Sequence, residues 1–185
     1  ADQDGIEVVE QSWEKDGNIT KGIIENKQLG TVSQLEVIDG RVHYKVLKEG
    51  KEKKSQDRAD SNLVMSTTLM AYLRPKFDQL LEGKELQIKM AVLDRMDSFT
   101  FNIKKFREDK TASGGKLVVL KMHPNSIIIN ALVDPVYFYI DTTSGQLIGF
   151  EGRSALRRKM GGKFKEMDAQ VAYEHLIDAF KKSSG

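Results

Sequence analysis

Apolar and polar residues alternate with a period of two along much of this chain. Leu86, Ile88, Met90 and Val92 alternate with Glu85, Gln87 and Lys89. Phe99, Phe101 and Ile103 alternate with Ser98, Thr100, Asn102 and Lys104. Val118, Leu120 and Met122 share one parity, as do Val42, Tyr44 and Val46. Successive strand side chains point to opposite faces, so this pattern gives each strand one buried and one wet face. It is the signature of antiparallel sheet rather than of parallel sheet covered on both sides. Turn residues fall between the runs. Asp39-Gly40 separates two of them, and Asp-Gly suits the type I′ turn of a hairpin. Asp16-Gly17, Ser144-Gly145 and 111–115 follow at similar spacing. The pattern predicts about ten strands, near 6–13, 18–27, 31–38, 41–48, 85–93, 97–106, 116–122, 136–141, 146–152 and 167–174. Over 167–174 a helix from Asp168 reads almost as well.

One segment has helical spacing. From Ser66 to Glu82, Leu69, Met70, Leu73, Phe77, Leu80 and Leu81 form an apolar stripe. Ser66 or Thr67 is placed to cap its start and Gly83 to close its end. Pro75 lacks an N–H, so it kinks the helix or begins a second one. Shorter helical candidates are Asn125–Leu132 and His175–Lys182. Lys48–Asp60 reads as a charged loop or a long hairpin tip, and Arg153–Lys165 as a second basic, Gly-containing connection. The expected architecture is one domain over 1–185, mainly β, an antiparallel meander curved or closed as an open barrel. The helical insert near 66–82 lies on the concave face. A curved sheet with one apolar face shelters it by closing or by covering it. Any hollow left on that face is the place for an apolar or amphipathic ligand. The competing expectation is that Leu69, Leu73 and Phe77 fill it.

Composition narrows the classes. The 185 residues carry 29 Lys+Arg against 27 Asp+Glu, net +2, which is too small to argue for nucleic acid on charge alone. No apolar run approaches the ~18 residues of a membrane-spanning helix. There is no cysteine, which excludes disulfides, thiolate nucleophiles and cysteine metal sites. The chain starts at Ala1. An exported chain trimmed after a small residue would start so, as would one trimmed for crystallisation.

Part of the chain resembles a family of uncharacterised exported bacterial proteins. The residues that carry this are Ala71-Tyr72-Leu73-Arg74, then Glu82-Gly83-Lys84, then Val92-Leu93-Asp94-Arg95-Met96-Asp97. Met122-His123-Pro124-Asn125-Ser126, Asp134-Pro135-Val136-Tyr137-Phe138 and Gly149-Phe150-Glu151-Gly152-Arg153-Ser154 are also similar. The resemblance spans roughly residues 60–155 and implies a signal peptide, an antiparallel barrel-like sheet and a place in the bacterial envelope. It invites comparison with the open barrels that carry lipids or lipoproteins across the periplasm, and it implies no chemistry.

Catalytic motifs are absent. His43, His123 and His175 lie far apart, with no paired metal-ligand spacing. The glycines before Lys116 and Lys163 do not form a phosphate loop and suit hairpin turns better. Gly152-Arg153-Ser154 lacks the nucleophile elbow. Nothing in the sequence asks for a cofactor or a metal. Charged residues at strand ends are usually solvated pairs. The functional alternative is a polar rim on an apolar mouth, in which Arg74, Arg95 or Arg153 holds a headgroup, carboxylate or phosphate. The candidate ligand-binding residues are therefore Tyr72, Arg74, Phe77, Arg95, Asp97 and Arg153. Two basic runs are placed to touch anionic headgroups or simply to solubilise. One comprises Lys51, Lys53, Lys54 and Arg58, the other Arg157, Arg158, Lys159, Lys163 and Lys165. Single-stranded nucleic acid would want aromatics interleaved with the charges, and Phe164 stands alone. The first expectation is thus a non-catalytic envelope protein that binds a lipid-like molecule. The alternatives are an assembly factor that binds another envelope protein through a sheet edge or basic loops, and a hydrolase using Asp94 or Asp97.

Overall fold

The computed structural model describes residues 7–110, 115–126 and 134–173. Strand accounts for 66% of the described residues. That is far above the usual ~20–25% and makes the class mainly β. The first sheet is the meander β1 (Val8–Lys15), β2 (Asn18–Asn26), β3 (Thr31–Ile38), β4 (Arg41–Lys48) and β5 (Lys51–Arg58). Each strand pairs antiparallel with the next. Asp39-Gly40 turns β3 into β4, and Glu49-Gly50 turns β4 into β5. Both residues of each pair have positive φ (49° and 72°, 51° and 73°), as a two-residue type I′ turn requires.

The second sheet has the order β12-β11-β10-β9-β8-β7-β6 and curls strongly as an open half-barrel. Its strands are β6 (Leu63–Val64), β7 (Leu86–Val92), β8 (Asp97–Lys110), β9 (Lys116–Pro124), β10 (Val136–Asp141), β11 (Gln146–Met160) and β12 (Lys163–Ala172). β8, β9, β10 and β11 pair antiparallel in sequence. β6 pairs parallel to β7, so the sheet is mixed.

The helical segment breaks where Pro75 requires. Helix α1 (Leu69–Leu73) is followed by a 3-10 turn (Arg74–Lys76) and helix α2 (Phe77–Leu81). Gly83 closes α2: its N–H bonds the Leu80 carbonyl, and Lys84 N–H bonds the Gln79 carbonyl. This is the paired 5→2 and 6→1 arrangement of a Schellman end. The expected caps are not used. Ser66 donates to the Glu10 carboxylate and Thr67 to the Ser12 hydroxyl at 2.9 Å. The buried Thr68 hydroxyl instead accepts from Met65 N–H at 2.9 Å.

Two connections expected to be loops are strands. Lys48–Asp60 contains β5, and Arg153–Lys165 belongs to β11 and β12. In Lys51–Arg58 no apolar residue alternates with the polar ones, so the periodicity carries no signal there. Backbone pairing from Lys48↔Lys51 to Arg41↔Arg58 holds it as an edge strand. Edge strands are commonly charged in this way, which discourages pairing with another chain. Residues 163–172 are strand rather than helix. The helices expected over Asn125–Leu132 and His175–Lys182 fall mostly or wholly outside the described residues.

The chain divides into two compact units. Residues 1–72, 88–99 and 155–166 form the first, and 73–87, 100–154 and 167–185 the second. The core of the first joins Ile19, Leu35, Val42 and Tyr44 from the meander to Leu63, Met65, Ala91 and Leu93. Met65 lies against the bare backbone of Gly22, where a Cβ would come within 2.1 Å of its sulfur. In the second unit Leu117, Val119, Tyr139 and Ile148 form one core on one side of β9, flanked by Tyr137 and Ala172. Val118 and Leu120, of the other parity, are also fully buried. β9 is therefore covered on both faces.

Candidate functional site

Three groupings of side chains have site-like properties: an apolar row in the second unit, a charged pin in the first, and a basic hairpin. Strand register builds the apolar row. Phe101↔Pro124 and Ile103↔Met122 link β8 to β9, Met122↔Val136 and Leu120↔Phe138 link β9 to β10, and Phe138↔Phe150 links β10 to β11. Residues directly opposite in an antiparallel pair share a face. Phe101, Ile103, Leu120, Met122, Val136, Phe138 and Phe150 therefore line one side of four adjacent strands. Ile103, Leu120, Met122 and Phe138 are buried, while Phe101, Val136 and Phe150 keep part of their surface. Lys105 lies on the same side, opposite Leu120. Its ammonium donates to the Leu81 carbonyl at 2.7 Å, which brings the C-terminal end of α2 over this face. A cation there also complements the negative end of the helix.

The charged pin is centred on Lys89 of β7. Its Nζ bonds Asp57 Oδ2 at 2.8 Å and Asp60 Oδ2 at 2.9 Å, with only 17% of the side chain exposed. Ser98 donates to the same Asp57 oxygen at 3.3 Å, and Arg58 N–H bonds Asp57 Oδ1 at 2.7 Å. The Lys89 ammonium, followed by the Arg58 N–H, holds the Asp57 carboxyl below its usual range. Burial alone would lower the Lys89 pKa, but its bonds to Asp57 and Asp60 outweigh that and raise it. The pin thus keeps both partners charged and offers neither a proton nor a base near neutrality. Beside it, Tyr44 is fully buried, and its hydroxyl approaches Ser98 without completing a hydrogen bond. Burial raises the Tyr44 pKa and the Ser98 contact opposes the rise.

The six sequence-derived site residues divide between the two units. In the first, Tyr72 is half-buried in α1, and its burial raises the hydroxyl pKa. Arg95 and Asp97 do not pair with each other. Arg95 meets Glu166 at 3.3 Å, and Asp97 accepts from Ser98 N–H at 2.7 Å. In the second, Arg74 is exposed in the 3-10 turn, Phe77 is half-buried at the start of α2, and Arg153 bonds Asp168 at 2.8 Å. Glu151 accepts from the Tyr139 hydroxyl at 3.2 Å. The partners of Arg95, Arg153 and Glu151 each lie at least a dozen residues away, so residue spacing gave no sign of them. Asp94, one of the two acids considered for hydrolysis, is exposed and meets Arg157 at 3.4 Å. His43 is exposed on β4, and His123 lies 3.9 Å from Glu85. His175 falls outside the described residues. Among the described residues, no group of three His, Asp or Glu side chains converges as a metal site. No helix among them is long and apolar enough to cross a membrane.

The third grouping is the β11–β12 hairpin, whose turn at Gly161-Gly162 the sequence announced but whose strands it did not. Leu156, Met160 and Phe164 are large exposed apolar residues within its basic run. The only signal available beforehand was Gly161-Gly162, the pair that turns it.

The fold and these groupings define a mainly β protein with an apolar sheet face and no assembled catalytic set among the described residues. Comparison with family models, with curated proteins and with solved structures finds no match to this chain.

Proposed function

We propose that this protein is a non-catalytic binding protein whose ligand is apolar or amphipathic, taken up on the apolar face of the curled sheet. The observation that carries this reading is the row across β8, β9, β10 and β11. Its inner members are buried, while Phe101, Val136 and Phe150 at its margins keep apolar surface available. A concave, mostly apolar lining with few polar groups is what a lipid-like molecule needs. The charged pin supports the non-catalytic part, because its Lys89 and Asp57 are each held in the ionised state. The compartment that goes with this reading is the bacterial envelope, which rests on the resemblance of residues 60–155.

Native mass spectrometry of the purified protein, followed by organic extraction, tests the reading. A co-purifying lipid-like molecule is expected. Phe101→Arg and Phe150→Arg should each abolish it while leaving the circular dichroism of the folded protein in place. A protein that carries nothing, and takes up no lipophilic fluorophore when offered one, would refute the ligand.

A further inference from the structure

The hairpin that joins β11 to β12 concentrates positive charge and apolar surface at one tip. Between Leu156 and Lys165 it carries Arg157, Arg158, Lys159, Lys163 and Lys165 and no carboxylate. Arg157 is already committed: 15% exposed, it meets Asp94 and Glu166, each at 3.4 Å. Its backbone N–H also bonds the Gln28 side chain at 2.9 Å. The Gln28 contact ties the root of the hairpin to the turn between β2 and β3. Beyond the root, Arg158, Lys159, Lys163 and Lys165 are exposed and have no ion-pair partner among the described residues. Met160 is 50% exposed and Phe164 is 43% exposed.

Gly161 and Gly162, both at positive φ, make a two-residue turn. Met160 therefore stands opposite Lys163, and Lys159 opposite Phe164. The Arg157–Glu166 pair fits the same register. Met160 and Phe164 thus project from opposite faces of the ribbon, each with a lysine across from it. A rigid protein partner would cover one face. A fluid bilayer admits the tip from every side.

We propose that this hairpin docks the protein, tip first, on a phospholipid bilayer that carries anionic headgroups. Met160 and Phe164 enter the boundary between headgroups and acyl chains, and the four unpaired cations lie among the headgroup phosphates. Apolar insertion combined with cationic attraction is the physics of interfacial anchors, and both terms are present here. RNA is the poorer occupant, because one aromatic side chain makes no stacking platform. The proposal is independent of the ligand reading, since it needs nothing bound to the sheet.

Flotation of the full chain with two kinds of vesicle tests it. Vesicles of phosphatidylglycerol mixed with phosphatidylcholine should recover the protein, with recovery falling as salt rises. Pure phosphatidylcholine vesicles should not. Lys159→Glu combined with Lys163→Glu should weaken binding by at least about twentyfold, given roughly fivefold for each headgroup-level cation lost. Met160→Ser combined with Phe164→Ser should weaken it in low salt as well. All four positions are exposed, so thermal melting should match the wild type. Trp13 is the sole tryptophan. In a Trp13→Phe, Phe164→Trp chain, emission should therefore shift to the blue on anionic vesicles and be quenched by brominated acyl chains. Equal recovery with both vesicles, recovery with neither, or folded variants that bind like the wild type would overturn the proposal. So would capture by polyglutamate or RNA without capture by vesicles.

Discussion

At Gly152 the backbone of β11 passes so close to Val136 of β10 that no side chain fits between them. A Cβ there would lie 2.8 Å from Val136 Cγ2 and 3.0 Å from its Cα, and Gly152 also holds φ at +143°. The obstacle is partly backbone and cannot rotate away. Gly152→Ala is expected to cost about 1–3 kcal/mol, the usual range for overpacking, read as a lower urea midpoint with an unchanged slope. A variant as stable as the wild type would show that the two strands separate freely. The same residue shows the limit of local reading. Its neighbour Arg153 is one of the residues expected in a polar rim, yet the structure pairs it with Asp168, and Glu151 on the other side accepts from Tyr139. Residue types and parity were legible there. The partners were not, because charged side chains choose among whatever distant strands bring within reach.

Among the elements, β5 depends most on its neighbours. Its sequence, Lys51–Arg58, offers no apolar face, and β4 and the Lys89 pin supply its place. The pin should give stability a defined pH dependence. Asp57 has a lowered pKa, so its contribution is full above the usual carboxylate value and is lost as the pH falls through the depressed one. Lys89 has a raised pKa, so its contribution is full below the ordinary lysine value and is lost as the pH climbs through the elevated one. Between about pH 4 and about pH 10 the pin is flat. Asp57 is 41% exposed, and solvent screening keeps the expected loss for Lys89→Met near 1 kcal/mol at neutral pH. Denaturant melts of wild type and variant should converge as the pH drops below 4. An undiminished gap in acid would assign the loss to packing instead. The Lys45 and Lys54 ammoniums lower the pKa of Glu52 to about 2, but it is exposed and adds no comparable anchor. The helical segment needed no such help. Pro75 and Gly83 marked its break and its end in advance, because both act through their own backbone geometry.

For the molecule as a whole, order should be greatest where both faces of a strand are covered. Leu117, Val118, Val119 and Leu120 are fully buried, as is Ile140, and Tyr139 nearly so. Their amides in β9 and β10 should exchange with solvent slowest, by global unfolding. Those of the β4–β5 turn and the β11–β12 tip should exchange by local opening. Hydrogen-exchange mass spectrometry checks this, and equal protection across these segments would contradict it.

The places of strands β2–β4 and β7–β10, the Asp-Gly turns and the broken helix were all written in the residues. Each follows from the period of a strand or from the φ of a single residue, and neither needs a distant neighbour. The tertiary structure alone decided that Lys51–Arg58 and the basic stretch after Gly152 are strands. It also decided that Asp57, Asp60 and Lys89 meet, and that Phe101, Leu120, Phe138 and Phe150 form one face. Cross-strand hydrogen bonds and ion pairs join residues far apart in the chain, and their partners exist only once the strands have taken their register.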